Sequence, residues 1–461
     1  MSKKKAPVKK NETITLHIED LTHEGSGVGK VNGYPLFIPG TLPGEVAVVK
    51  VVRVNRNFGY GKLLEIKQTS EHRVEPTHEC GGCRLQHMSY ELELQMKHNQ
   101  VKNVLKKTAH LDDVPVHEPI RMDDPWRYRN KVQMPVGERD SQLITGFYQP
   151  RSHRIIEMTE PCHVQDELID GIVETVRDKA SALGIRAYNE RTHQGTLRHI
   201  IVRVGRATKE AMVIIVTRTK MLPHADEIIN DIRKKHPHVT SIMHNINEER
   251  TNAILGKITK KLWGESYIHD KIGDLTFAIS ARSFFQVNPE QTEKLYEKAL
   301  EYAKISADDI VVDAYCGTGS ISLFLAQQAK KVYGVEIVPE AVSDAKKNAK
   351  INNITNAEFV VGEAEKIMPW WKAQGLRPNV IVVDPPRKGC DEALLQAMID
   401  MQPDRIVYVS CNPSTLARDL KILEAGGFKT KEVQPVDMFP QTHHVELVAL
   451  MSKVCNQTKK S

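Results

Sequence analysis

The chain has 461 residues with a formal net charge of +6, 40% hydrophobic and 26% charged, which is too long for one ordinary core and, at roughly 100–200 residues per domain, calls for about three domains. No apolar run approaches the ~20 residues that span a bilayer, so a helical membrane protein is excluded. Seven cysteines, an odd number, behind a basic N-terminus that lacks the apolar stretch of a secretory signal argue against a disulfide framework and for the cytoplasm.

Residues 1–67 hold eleven Lys/Arg against six Asp/Glu, most of the excess charge of the whole chain. From Ile14 to Ile66 short runs alternate apolar and polar residues and break at Gly25-Ser26-Gly27 and at Pro39-Gly40-Thr41-Leu42-Pro43-Gly44. This pattern predicts a small β-barrel with a phosphate-attracting face. A barrel that merely docks on the rest of the chain is the plainer reading.

Between 71 and 280 helical and strand patterns mix. Lys97 to Leu111 reads as a basic amphipathic helix, and Arg198 to Arg206 and Ala211 to Thr219 read as strands of a mixed sheet. The topology does not follow from these patterns. Trp126-Arg127-Tyr128-Arg129-Asn130-Lys131 interleaves cations with aromatics, either as a surface for unpaired bases or as a buried Trp-Tyr pair with solvated arginines.

From Ala281 onward, apolar strand candidates at Ile310–Val312, Lys331–Val335, Phe359–Val361, Val380–Val383 and Arg405–Val409 alternate with helical stretches, predicting a doubly wound α/β sheet. Val312-Asp313-Ala314-Tyr315-Cys316-Gly317-Thr318-Gly319 is a strand end entering a glycine turn. Ser322 stands where a dinucleotide fingerprint wants its third glycine or alanine, which disfavours a hydride-transfer cofactor. Glu336 ends the next strand and can accept hydrogen bonds from ribose hydroxyls, so loop and acid together favour an adenosine-type ligand.

Asp384-Pro385-Pro386-Arg387 fixes a carboxylate at a strand end. An amino-group methyltransferase would carry an aromatic ring where Arg387 stands. Ser410-Cys411-Asn412-Pro413 delivers a thiol to a helix N-terminus beside cations, which would lower its pKa as a nucleophile requires; a buried structural thiol is the competing reading. Glu446 opens an apolar strand after His443 and His444, where desolvation would make it a usable base. The two histidines lack a partner at metal-ligand spacing.

These motifs, in this order, resemble the RNA uracil-C5 methyltransferase family, and residues 10–67 look like the TRAM barrel of its ribosomal RNA branch, a barrel that the tRNA branch typically lacks. The resemblance implies an α/β protein of three parts: a TRAM, OB-like barrel (10–67), a central mixed α/β domain (71–280) and a Rossmann-like methyltransferase domain (281–452). It implies S-adenosyl-L-methionine held by Gln286, Tyr315, Glu336 and Asp384, with Cys411 as nucleophile and Glu446 as base. The implied substrate is RNA, 23S ribosomal RNA first and tRNA as the alternative, with neither a membrane nor an obligate protein partner. That branch often carries an iron-sulfur cluster on four cysteines. Cys80, Cys83 and Cys162 match three of them, while Glu75-Pro76-Thr77-His78-Glu79 replaces the segment with the fourth. Two outcomes stay open: a cluster completed by His78 or an exogenous group, and a metal-free remnant. Against the methyltransferase stand an amino-group methyltransferase and a non-catalytic RNA-binding assembly factor, neither of which needs both Cys411 and Glu446.

Overall fold

A computed structural model describes residues 6–76, 82–149 and 152–454. The first five strands, β1 (Thr13–Leu21), β2 (Gly27–Val31), β3 (Tyr34–Ile38), β4 (Val46–Val54) and β5 (Gly59–Gln68), close a barrel in the order β1-β2-β3-β5-β4. Closure removes the edges that an isolated short sheet would expose. Alternate residues, among them Leu16, Ile18, Leu36, Ile38, Val49 and Val51, fill its interior.

Helix α1 (Tyr90–Val104) follows, started by the Ser89 side chain accepting from Leu92 N–H and continued by a wide turn over Leu105–Ala109. It begins seven residues before the helix expected at Lys97, and Lys97 is fully buried.

The middle of the chain forms a seven-stranded sheet in the order β12-β11-β10-β9-β6-β7-β8, from β6 (Lys131–Arg139), β7 (Gln142–Tyr148), β8 (Ile155–Glu157), β9 (Leu197–Val204), β10 (Ala211–Thr217), β11 (Val239–Ile246) and β12 (Ile258–Gly264). Helices α2 (Glu167–Ala182) and α3 (Ala225–Lys235) pack on one face. Every residue of β9 and β10 is buried, because the other face of the sheet is covered too. Its cover is the hairpin β13 (Tyr267–Ile272) and β14 (Leu275–Ser280), whose Ile268, Phe277 and Ile279 join Ile214 and Val216 to the core of the C-terminal part.

That C-terminal part is a second seven-stranded sheet, β17-β16-β15-β18-β19-β21-β20. Its strands are β15 (Ile310–Ala314), β16 (Lys331–Glu336), β17 (Ala357–Val361), β18 (Val380–Val383), β19 (Arg405–Ser410), β20 (Phe428–Val436) and β21 (Glu446–Lys453). Helices α4 (Pro289–Ala303), α5 (Ser320–Ala326), α6 (Pro339–Ile351), α7 (Ala364–Ala373), α8 (Glu392–Met401) and α9 (Pro413–Ala425) flank it. Proline at the first turn and an asparagine cap start both α4 and α9, since proline lacks the N–H that would go unused there. This is the doubly wound α/β architecture the alternation predicts. Among the described residues no helix is long and apolar enough to cross a membrane.

Candidate active site

The chain leaves β15 towards β16 on one side and returns to β18 on the other, so a crevice opens beyond the carboxyl ends of β15 and β18. Beyond β15 the backbone turns through Tyr315, Gly317 and Gly319 at φ of 66°, 54° and 79°. Glycine takes this left-handed conformation freely; Tyr315 takes it at a cost, as residues at ligand sites do. Glu336, at the end of β16, ties the turn down: its carboxylate accepts from Gly317 N–H at 3.2 Å and from Val338 N–H at 2.9 Å. Beneath them Asp313 accepts from the Ser322 hydroxyl at 2.5 Å, and its other oxygen has no partner. Burial pushes the Asp313 carboxyl up to about 7, with Asp384 and Glu336 adding to the rise. The apolar side chain of Ile337, 59% exposed beside Glu336, was not singled out by sequence reasoning; the signal was an isoleucine directly after a strand-end acid.

Gln286 lies on the 281–288 loop ahead of α4. Its carbonyl accepts from Asn130 Nδ2 at 3.2 Å, while the Thr318 hydroxyl of the glycine turn donates to the carbonyl of Phe284. The Phe284 ring is 66% exposed on the same loop and also escaped sequence reasoning. Tyr315, Glu336 and Asp384 thus stand at the carboxyl ends of three neighbouring strands, β15, β16 and β18, and the Gln286 loop reaches the glycine turn through Phe284 and Thr318.

Cys411 and Glu446 stand at the far side of that crevice. The antiparallel ladder pairs Ser410 with Leu447, so the next step sets Cys411 opposite Glu446. Asp384 ends β18, the parallel neighbour of β19. Below Cys411 the helix α9 is capped by Asn412, whose side-chain oxygen accepts from Ser414 N–H at 3.0 Å and whose Nδ2 donates to the Arg387 carbonyl at 3.0 Å. The cap thereby joins the cysteine loop to the Asp384-Pro385-Pro386-Arg387 loop.

Burial pushes Glu446 up to about 8, Asp384 raising it further and Arg387 drawing it down. Asp384 itself is pushed up to about 6 by burial. The Cys411 thiol does not have the lowered pKa expected from its helix N-terminus and cations. Burial, then Glu446 and Asp384, push it up to about 11 against the pull of Arg387. Burial, with two carboxylates brought in from other strands, outweighs the local features visible in sequence.

The strand-entry segment before Glu446 is held from a distance. Lys97 Nζ donates to Glu93 at 2.6 Å, to Asp437 at 2.5 Å and to the Phe439 carbonyl at 3.2 Å, all three side chains fully buried. Glu93 also accepts from Gln441 N–H, Tyr90 donates to Asp437, and Tyr128 donates to the Pro440 carbonyl at 2.8 Å. Tyr128, 1% exposed, therefore presents no ring to RNA, as the buried reading of segment 126–131 expects of it, while Trp126 stays partly exposed.

Cys83 and Cys162 meet in one small cluster with Met122 and Tyr128. Cys80 and His78 lie outside the described residues, as does Cys455. His443 and His444 stack at 4.2 Å between centroids. Among the described residues no group of three or more His, Cys, Asp or Glu is arranged to hold a metal ion.

Comparison with known proteins adds to this geometry. The family model described as tRNA (Uracil-5-)-methyltransferase matches residues 259–454, and that of the TRAM domain matches residues 7–64. An uncharacterized RNA methyltransferase of Oceanobacillus iheyensis is 64% identical over 97% of this chain and 98% of its own; another, of Halalkalibacterium halodurans, is 58% identical over 98% and 99%. The crystal structure of Pyrococcus abyssi tRNA (uracil-54, C5)-methyltransferase in complex with S-adenosyl-L-homocysteine superposes with a TM-score of 0.78 at 28% identity, covering 95% of this chain and 99% of that one.

Proposed function

Because the chain belongs to the family of S-adenosylmethionine-dependent RNA uracil-5-methyltransferases, we propose that it forms 5-methyluridine with Cys411 as covalent nucleophile and Glu446 as base. The observation that carries this reading is the placement of a thiol and a buried carboxyl side by side at the ends of β19 and β21, facing the glycine-turn crevice. C5 of uracil is too weak a carbon nucleophile to attack a sulfonium methyl unaided. Addition of the Cys411 thiolate to C6 moves electron density to C5 and O4, and S-adenosylmethionine, when bound, supplies the methyl group that C5 takes up. Glu446 then removes the C5 proton, the C6–S bond breaks and the uracil ring regains its aromaticity. Cysteine and carboxylate reach the ring only if the base is unpaired or flipped out of a helix.

The crevice suits the methyl donor. The turn leaves open space beside Gly317, while Gly319 packs against Ala345 and Phe359; Glu336 offers acceptors for ribose hydroxyls, and Ile337 offers an exposed apolar flank for adenine. Gln286, Tyr315 and Asp384 complete the set that would hold it. Its cationic sulfonium, near Cys411, would oppose the two carboxylates that hold the thiol protonated.

For the RNA we propose 23S ribosomal RNA, supported by the resemblance of residues 10–67 and of Cys80, Cys83 and Cys162 to that branch. The Pyrococcus tRNA enzyme favours a second reading, because a superposition over 95% of this chain cannot omit the barrel matched at residues 7–64. The barrel by itself therefore does not separate ribosomal from transfer RNA. Residues 10–67, 71–280 and 281–452 are taken as RNA-binding barrel, central domain and methyltransferase domain, acting in the cytoplasm. Mapping 5-methyluridine in both RNA classes from a deletion strain tests the assignment: loss from 23S RNA alone supports the first reading, loss from tRNA alone the second, and no loss from either ends both. Iron and sulfide analysis of anaerobically purified protein decides between a cluster on Cys80, Cys83 and Cys162 and a metal-free remnant.

A further inference from the structure

The outer face of the barrel carries three aromatic rings that its core does not use. Phe37 in β3 alternates with buried Leu36 and Ile38, and Tyr60 in β5 sits between buried Gly59 and Gly61, so both side chains point away from the interior. The parallel pairing of β3 with β5 sets Phe37 opposite Tyr60. Phe58 joins them from the turn between β4 and β5, which is closed by Asn55 N–H donating to the Phe58 carbonyl at 2.9 Å. Ring centroids lie 5.6 Å (Phe37 to Phe58), 5.8 Å (Phe37 to Tyr60) and 5.8 Å (Phe58 to Tyr60) apart. All three rings remain partly exposed.

Cations frame this patch. Arg53 pairs with Tyr60 across β4 and β5, Lys62 follows Tyr60 on the same face, and Lys50 pairs with Lys62. Arg56 lies in the turn beside Phe58, and all four cations are exposed or nearly so. Among the described residues the ion pairs that the barrel forms, Lys30 with Glu19 and Arg73 with Glu45, leave these four out. An exposed trio of rings within a field of exposed cations is complementary to single-stranded nucleic acid, whose bases stack on aromatic faces while its phosphates take the charges.

We propose that Phe37, Phe58 and Tyr60 form a stacking platform for unpaired bases of the RNA substrate, with Lys50, Arg53, Arg56 and Lys62 on the flanking phosphates. The proposal rests on the reading that RNA is the substrate and divides the work of the barrel: the rings select unpaired strand, the cations supply charge attraction.

The test uses the full-length protein, a labelled unstructured oligoribonucleotide and the same sequence as a duplex. Phe37→Leu with Tyr60→Leu keeps apolar bulk and removes the π faces. It should weaken single-strand binding about tenfold, leave the salt dependence intact and leave duplex binding unchanged. Lys50→Gln with Lys62→Gln should instead lower the slope of log affinity against log salt by about 1.4. Phe37→Tyr with Tyr60→Phe should bind as the wild type does. If the leucine variant, melting like the wild type, binds the single strand as tightly as before, or loses duplex affinity equally, the platform is overturned. Absence of 5-methyluridine formation by a wild type that still shows this ring dependence would instead overturn the proposed function and leave the platform standing.

Discussion

The two groups assigned to the chemistry stand side by side and are held by opposite means. The Cys411 loop is built locally: its contacts run to Ser410, Ser414, Thr415 and the Arg387 carbonyl, all within one strand–loop–helix unit and its neighbour. The approach to Glu446, residues 437–445, is instead clamped by Glu93 and Lys97 from α1, Tyr128 from the middle of the chain, and Asn288 and Gln291 at the start of α4. A local unit re-forms whenever its strand and helix form. A clamp whose Glu93, Lys97 and Tyr128 contacts come from more than three hundred residues away is complete only once the N-terminal half has docked. The base, more than the nucleophile, thus depends on the integrity of the whole chain.

The largest effect expected is that of Cys411→Ala, which should abolish both product and any covalent protein–RNA complex, with activity down on the order of 10⁴-fold or more. Glu446→Gln should differ in kind. It keeps the nucleophile and should methylate C5 yet stall as an adduct that survives denaturing electrophoresis, with turnover down on the order of 10²–10⁴-fold. Wild type should be trapped likewise by RNA carrying 5-fluorouridine, because fluorine cannot leave as a proton does. Substantial activity in Cys411→Ala, or no adduct with wild type on the correct RNA, ends the covalent mechanism.

Lys97→Met probes the clamp. Burial alone would push the Lys97 ammonium down, yet Asp437 and Glu93 outweigh it and hold it charged. Removing that charge leaves two buried carboxylates facing each other, a loss of about 3–5 kcal/mol measurable by urea unfolding. In the fraction that stays folded, adduct should accumulate at a near-normal rate while its resolution slows, since the clamp bears on Glu446 and not on Cys411. Equal slowing of both steps would show that the two loops are not held independently.

A smaller effect concerns pH. In the free protein Cys411 stands near 11 and Glu446 near 8, both raised by burial first and then by neighbouring carboxylates. The thiolate and the carboxylate are both the active forms, so kcat/KM should climb from pH 6 to pH 9. Arg387 lowers both groups, and Arg387→Gln should therefore move the profile to more alkaline pH. For stability the sign is opposite. Glu446, whose folded pKa lies above its unfolded value, contributes fully below about pH 4.3 and progressively less as pH rises through 8. The urea midpoint should accordingly fall over that range, and less steeply in Glu446→Gln.

What the sequence made legible follows the same division. Strands β15, β16, β18 and β19 are short β-branched runs ending at a glycine, an acid, a proline pair or a cysteine, so Glu336, Asp384 and Cys411 could be placed at strand ends from local pattern alone. The burial of Lys97, which the pattern placed in a basic amphipathic helix, was not readable locally because one of its counterions, Asp437, lies 340 residues downstream. Tyr128 stayed open between an RNA-facing and a buried reading because the carbonyl of Pro440 that takes its hydroxyl is 312 residues away. The thiol's pKa was expected to fall because the cations beside it are local, whereas the burial that chiefly raises it, and the carboxylates that add to the rise, arrive through sheet pairing. Position was readable from contiguous residues; environment was not, since long-range closure supplies it.

The smallest effect expected is at the local end of the comparison, in Asn412→Ala. Asn412 satisfies an otherwise unpaired N–H at the start of α9 and, through Nδ2, fixes the Arg387 carbonyl of the neighbouring loop. Loss of the cap should cost about 1 kcal/mol. Pro413 still presets the first turn and Ser410 still accepts from residue 412 N–H, so the helix should persist and the cysteine remain in place. Adduct formation should therefore slow only several-fold, while the alkaline limb assigned to the thiol shifts upward as the Arg387 loop loosens and its cation draws back. Adduct resolution, which depends on Glu446 and its distant clamp, should keep its wild-type rate. A variant that slowed resolution while leaving addition untouched would mean that Asn412 acts on the base, and the separation between a locally built nucleophile and a remotely clamped base would not hold.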